Sequence, residues 1–168
     1  MEFRIRKADE QDLPGIMHIM EEAKHNPQHP DWFMADDQDY VRDHLQEKGF
    51  VLVAVAPEGK IAGFFMVKYP EREKHLGEFL GYTEEQMDHT AVMDSAAVDS
   101  AYQGNGLQRK MAFAAEALID RSQYQYLLCT IHPDNKYSLS NMRSQGYEVR
   151  ADVECYGGRR RYVLEKCL

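Results

Sequence analysis

The sequence predicts a mixed α/β fold, with helices on both faces of a central, largely antiparallel sheet. Three observations lead there. Short apolar stretches of strand length alternate along the chain with stretches of helical period. Two pairs of successive strands are joined by short turns, "PEGK" at 57–60 and "GG" at 157–158, which makes them antiparallel hairpins. The resulting order, β-α-α-β-β-β-α-β-α-β-β, interleaves helices with strands in one layered structure. With 168 residues, 43% of them hydrophobic, the chain suffices for a single domain over 1–168.

"EFRIRKA" alternates and reads as the first strand. "DEQDLPGIMHIMEEAK" places Leu13, Ile16, Met17 and Met20 on one stripe, with Asp9 as N-cap and Pro14 in the opening turn. "HNPQHPDWFM" reads as a loop. "DDQDYVRDHLQEKG" reads as an acid-headed helix that Gly49 caps at its end. "FVLVAVA" and "KIAGFFMVKY" form the first hairpin. A long connection follows, with a short helix near Glu84 to Asp88, and "AVMDSAAV" is the next strand. "GLQRKMAFAAEALIDRSQ" carries Leu107, Met111, Ala114, Leu118 and Ile119 at helical spacing. "YQYLLCTI" is a strand and "NKYSLSNMRSQG" a short helix stopped by Gly146. "YEVRADVECY" and "RRRYVLEKCL" close the chain as a hairpin, with "GGRRRY" read as an edge strand blunted by charge.

Composition narrows the function. A net charge of −8 argues against a nucleic-acid partner and weakly favours a cationic substrate. No apolar run approaches the ~20 residues of a membrane span, so no membrane partner is expected. Cys129, Cys155 and Cys167 have no metal-ligand spacing, which fits free thiols in a reducing cytoplasm. His25 and His29 stand four apart, but Pro27 and Pro30 break any helix there, so no metal is expected.

One stretch carries chemistry. In "VDSAYQGNGLQRKM" the Asn105-Gly106 pair lies between a strand ending at Val98 and a helix starting near Leu107, not between two strands. A strand–glycine loop–helix unit aims backbone N–H groups and the positive end of a helix dipole at one point. Gly104 and Gly106 let a phosphate approach the backbone. The Gly-Lys-Ser/Thr ending of a nucleotide P-loop is absent, and Arg109 stands where a dinucleotide fingerprint needs its third glycine.

Gln103-Gly104-Asn105-Gly106-Leu107-Gln108 resembles the Gln/Arg-x-x-Gly-x-Gly/Ala signature of the GCN5-related N-acetyltransferases, with Gln108 departing at the last position. A second segment of that family, Asn-x-x-Ala…Gly-Phe, is met by Asn135, Ser138, Gly146 and Tyr147. The resemblance implies direct transfer of an acetyl group from acetyl-CoA to a primary amine of a small molecule or peptide. It implies pantetheine along Ala96, Ala97 and Val98, with Asn135 on the pantetheine arm. It places the pyrophosphate on Gly104 to Arg109. It leaves a homodimer open. The family's tyrosine acid falls at Met142, which cannot donate a proton. Either the thiolate leaves unaided or Tyr137 or Tyr147 substitutes, and a non-catalytic acyl-CoA-binding module is the alternative.

Two residues are candidate bases. Asp94 shares a strand face with Ala96 and Val98 by two-residue alternation. His132 ends the neighbouring strand, and its neutral form suits pH 7. Cys129 reads as a small buried strand residue rather than a nucleophile. Trp32, Phe33 and Met34 read as core packing near the acceptor pocket that the resemblance implies.

Overall fold

The computed structural model describes residues 1–168. The strands are β1 (Arg4–Lys7), β2 (Gly49–Val55), β3 (Ile61–Lys68), β4 (Thr90–Val98), β5 (Tyr126–Ile131), β6 (Glu148–Cys155) and β7 (Arg159–Cys167). The helices are α1 (Leu13–Lys24), α2 (Gln38–His44), α3 (Glu84–Asp88), α4 (Leu107–Leu118) and α5 (Lys136–Ser144), with single 3-10 turns at Glu10–Asp12, Leu76–Leu80 and Ser100–Tyr102. The order is the one the sequence predicts. The strands form one mixed seven-stranded sheet, β1-β2-β3-β4-β5-β7-β6. The β1–β2, β2–β3, β5–β7 and β6–β7 pairs are antiparallel, and β4–β5 is parallel. No helix is long and apolar enough to cross a membrane.

The chain contacts divide into two compact units, Met1–Lys68 with Asp94–Leu118, and Tyr69–Met93 with Ile119–Leu168.

In the first unit, one face of the β2–β3 hairpin presents Val51, Val53, Val55, Phe64 and Met66 to Leu13, Ile16, Ile19 and Met20 of α1 and Val41 of α2. Strand alternation sends Leu52 and Phe65 to the other face, where Met111 of α4 comes close to Gly63. Helices thus cover both faces of this hairpin. Asp9 and Asp12 form a capping box at the entry to α1, and Arg6 grips Asp12 with a two-pronged ion pair of 2.7 and 2.9 Å.

Two expectations fail here. Gly49 does not cap α2, which ends at His44, but starts β2 opposite Lys68. A Cβ there would lie 1.9 Å from the Val67 carbonyl oxygen, so the glycine serves a close backbone approach. On α4 the buried stripe is Leu107, Met111, Ala112 and Ala115, continued by Ile119 just past the helix, and Leu118 is half exposed.

In the second unit, β5 and β7 bury Leu127, Leu128, Cys129, Val163 and Leu164. A further correction concerns the closing hairpin. The arginine-rich β7 is not an edge, because it pairs with β5 on one side and β6 on the other. The edge is β6, whose residues alternate between exposed and half-buried. Helix α3 is short because Thr83 and Gln86 build a capping box while His89 already closes its end.

Candidate active site

The glycine loop keeps the conformation its residues require. Asp99 at the end of β4 accepts the Ala101 N–H at 2.8 Å and starts a single 3-10 turn. Asn105 Nδ2 ties back to the Tyr102 carbonyl at 2.8 Å. Gly104 and Gly106 have φ of 86° and 67°, the left-handed region that glycine enters without steric cost. A Cβ at either one meets nothing within 4 Å, so the space over this backbone is open. Leu107 then begins α4, whose first N–H groups have no intrahelical acceptor. Gly104, Asn105, Gly106, Leu107, Gln108 and Arg109 lie together in the first unit, with Gln103 just before them. Ala96, Ala97 and Val98 belong to the same unit and are half-buried. The parallel register of β4 with β5 covers Thr90 to Val92, so these three residues continue beyond it.

Asp94 sits two residues after that register. Its Oδ2 accepts a hydrogen bond from the Tyr40 hydroxyl at 2.8 Å, 54 positions away on α2. Strict alternation does not hold across this stretch. Asp94 and Ala97, three residues apart, both meet the side where α1 and α2 pack, whereas Val98 approaches Gly63 together with Met111 of α4. Asp94 therefore does not share a face with Val98.

Three more groups crowd Asp94. Burial, then the Asp94 charge beside it, raises the Asp36 carboxyl to about 7, and Lys68 only partly offsets this. Lys68 holds its ammonium 5.4 Å from the centroid of the Tyr40 ring. His44 is 1% exposed, and burial pushes its pKa down. Its Nδ1 pairs with the Tyr40 carbonyl at 2.7 Å, and its Nε2 has no partner. Sequence reasoning missed Tyr40, Asp36 and His44. The acid-rich "DDQDY" offered only a helix-start signal, and which strand this segment faces is a long-range fact.

The remaining candidates lie in the second unit. His132 Nδ1 accepts the Asp134 N–H at 3.0 Å, which fixes the proton of the neutral ring on Nε2. Its basic lone pair is thus already engaged. Asn135 is the N-cap of α5 and accepts the Ser138 N–H at 3.2 Å. Met142 is a core residue at 5% exposure, Tyr147 is buried at 2%, and Tyr137 is exposed at 64%. Burial raises the Cys129 thiol to about 12, which leaves it inert as a nucleophile.

The loop holding His25 and His29 is not helical, and His29 stacks on Trp32 at 3.5 Å between ring centroids. Trp32 and Met34 are half-buried, and Phe33 packs against the first unit's core. His18, Glu22 and Asp99 bring ligand atoms within 4.8 Å of one another. Their carboxylates already accept from Ser100 and Ala101 and pair with Lys60.

The family model described as the Acetyltransferase (GNAT) family matches residues 13–147, which contain both the glycine loop and Asn135. The chain belongs to this family. No curated protein sequence matches it closely enough to count as a relative. Among solved structures, a GCN5-related N-acetyltransferase from Kribbella flavida superposes with a TM-score of 0.76 at 17% identity, covering 99% of this chain and 98% of that one. A ribosomal-protein-alanine N-acetyltransferase from Brucella melitensis gives 0.75 at 21%, covering 98% and 99%. A putative acetyltransferase from Salmonella typhimurium, solved with its cofactor acetyl-CoA, gives 0.73 at 21%, covering 99% and 94%. At these identities the likeness establishes the fold of this GNAT chain and leaves its substrate to be argued from the site.

Proposed function

We propose that this chain is an acetyl-CoA-dependent N-acetyltransferase that acts on a primary amine of a small molecule or peptide. The observation that carries the reading is the glycine loop. Two glycines at positive φ stand under open space directly before a 12-residue helix, shortly after a strand that continues past its parallel register with β5. The chemistry of that cradle fits a pyrophosphate: backbone donors, a helix N-terminus and no Cβ in the way. Gly104 to Arg109 take the phosphates, and the strand end at Ala96, Ala97 and Val98 offers its backbone to the pantetheine. Asn135 is read as contributing to the same arm beside its capping duty.

Acetyl-CoA, when bound, supplies the thioester carbonyl that the amine attacks. The chain must supply a proton acceptor. An alkyl amine with a pKa near ~10.4 costs about 4.6 kcal/mol to deprotonate at pH 7, whereas a thiol leaving group near ~8.5 leaves a mismatch of only about 2 kcal/mol. A base therefore matters more than an acid, which suits a chain with Met142 at the family's tyrosine position. Asp94 is the better base, since the His132 lone pair is engaged by the Asp134 N–H. Asp94 takes the proton directly or through one water.

Two measurements test this. Acetyl-CoA at 100 times its Kd stabilises the fold by about 2.7 kcal/mol, a rise of about 5–10 °C in melting temperature. An amine panel of n-butylamine, spermidine and an alanyl peptide is read by free CoA thiol. No shift at millimolar acetyl-CoA refutes the cofactor. A shift without thiol release favours the second reading, a non-catalytic acyl-CoA-binding module, which the buried Met142 motivates.

A further inference from the structure

We propose that Tyr40 is a positioning residue for the transfer, whose hydroxyl holds the Asp94 carboxylate in the orientation that receives the amine's proton. This rests on the reading of Asp94 as base.

Tyr40 is fixed at four points. Its N–H is held by the Asp37 cap at 2.8 Å, and its carbonyl receives His44 Nδ1 at 2.7 Å. One side of its ring meets the His44 ring, with centroids 4.4 Å apart, and the Lys68 ammonium stands over it at 5.4 Å. The hydroxyl is thereby delivered to Asp94 Oδ2 at 2.8 Å. A donor held this firmly restricts the carboxylate far more than a solvent hydroxyl does. The other oxygen, Oδ1, makes no hydrogen bond and is left for the incoming proton.

Tyr40 is partly buried against the first unit's core, and its hydroxyl reaches across to β4. There it meets the one acidic side chain of β4, just past the β5 register.

The ammonium proton passes to Asp94 Oδ1, directly or through a water. The nitrogen lone pair then forms the C–N bond while the C–S bond breaks. CoA leaves as thiolate and takes up the second proton, which the nitrogen sheds as the amide forms, and the proton on Asp94 returns to solvent. Tyr40 keeps its own proton throughout.

The test is a double-mutant cycle, which a merely structural role does not satisfy. Tyr40→Phe keeps the ring and deletes only the hydroxyl. With the best acceptor among n-butylamine, spermidine and the alanyl peptide, kcat is expected to fall about 10- to 100-fold, the loss typical of one hydrogen bond to a charged group. The KM for acetyl-CoA and the acetyl-CoA thermal shift are expected to stay within twofold and within about 2 °C, which also reports that the variant is folded. In an Asp94→Asn background, Tyr40→Phe is expected to add less than about twofold. If Tyr40→Phe misfolds, Tyr40→Trp enters the same cycle, with the same outcomes required.

A single variant that keeps more than half of kcat overturns the inference. So do losses that multiply in the double variant. If Asp94→Asn keeps wild-type turnover, the base assignment itself falls, whatever Tyr40 does. If no amine in the panel releases CoA, the catalytic reading falls and the inference with it.

Discussion

Asp36→Asn is expected to stabilise the protein above neutral pH. Asp36 makes no hydrogen bond or ion pair, so an amide of the same shape loses nothing and mimics the protonated acid. Its carboxyl is raised from 3.8 to about 7, first by burial and then by the Asp94 charge. A raised carboxyl pKa means that the folded state holds the proton more tightly than the unfolded chain. Stability from this group is therefore full below pH ~4, falls as pH rises through the interval up to about 7, and is flat above it. Three pH units at about 1.36 kcal/mol each set a ceiling of about 4 kcal/mol. Asp36 is half-buried, and screening by water reduces this to about 2 kcal/mol. In a chain of this size that is about 4–8 °C in melting temperature. Melting curves at pH 5, 6, 7 and 8 provide the assay. The variant should gain little at pH 5 and most of the difference by pH 8. Parallel curves for the two proteins across that range, or an Asn variant that is less stable at pH 8, refute the electrostatic reasoning.

Gly106→Val places a branched side chain at φ 67°, and it should cost about 1–3 kcal/mol while leaving the chain folded, since the space around it is open. It should also abolish most of the acetyl-CoA thermal shift, as differential scanning fluorimetry would show. Gly49→Ala drives a methyl to 1.9 Å from the Val67 carbonyl oxygen and should destabilise by about 2–4 kcal/mol in urea unfolding. Asp12→Asn breaks the two-pronged Arg6 pair and should cost about 1–3 kcal/mol at pH 7. The Arg6 bond holds the Asp12 carboxyl below its usual range, so the difference from wild type should shrink as pH falls below ~4. His132→Gln should keep more than half of kcat/KM with the panel amines at pH 7, because its lone pair is engaged by the Asp134 N–H.

Local signals in the sequence were enough where the structure is local. The strand stretches, the order of elements, the glycine loop and the short helix at Glu84–Asp88 follow from period, capping residues and turn chemistry. The errors have non-local causes. Gly49 looked like a helix cap because the backbone of β3, nineteen positions away at Lys68, cannot be seen from its neighbours. The edge of the sheet was misplaced because β7 inserts between β5 and β6, a choice of topology that charge pattern does not encode. On α4, Ala114 and Leu118 fit the helical period but the buried face runs through Ala112 and Ala115. At the candidate site, the glycine loop was readable because one stretch of chain builds it. The surroundings of Asp94 were not, because Tyr40 and Asp36 reach it from α2 and the residues before it.

That segment collects groups that work against folding. Asp36 holds a carboxyl without a partner beside a second carboxylate. His44 is buried with an orphaned Nε2, which costs about 1–3 kcal/mol on its own. A seven-residue helix has little intrinsic stability to offset either. What holds it is the rest of its packing. Val41 is fully buried against α1 and β2–β3, Asp37 caps the first turn, and Arg42 reaches Glu10 at 2.8 Å. Replacing Asp36 and His44 by apolar residues would relieve both costs without disturbing those contacts. Both groups lie in the field of Asp94, the one acid within the strand that leads into the glycine loop. A partnerless carboxyl and an orphaned imidazole nitrogen kept in an otherwise well-packed segment are features that recur at functional sites.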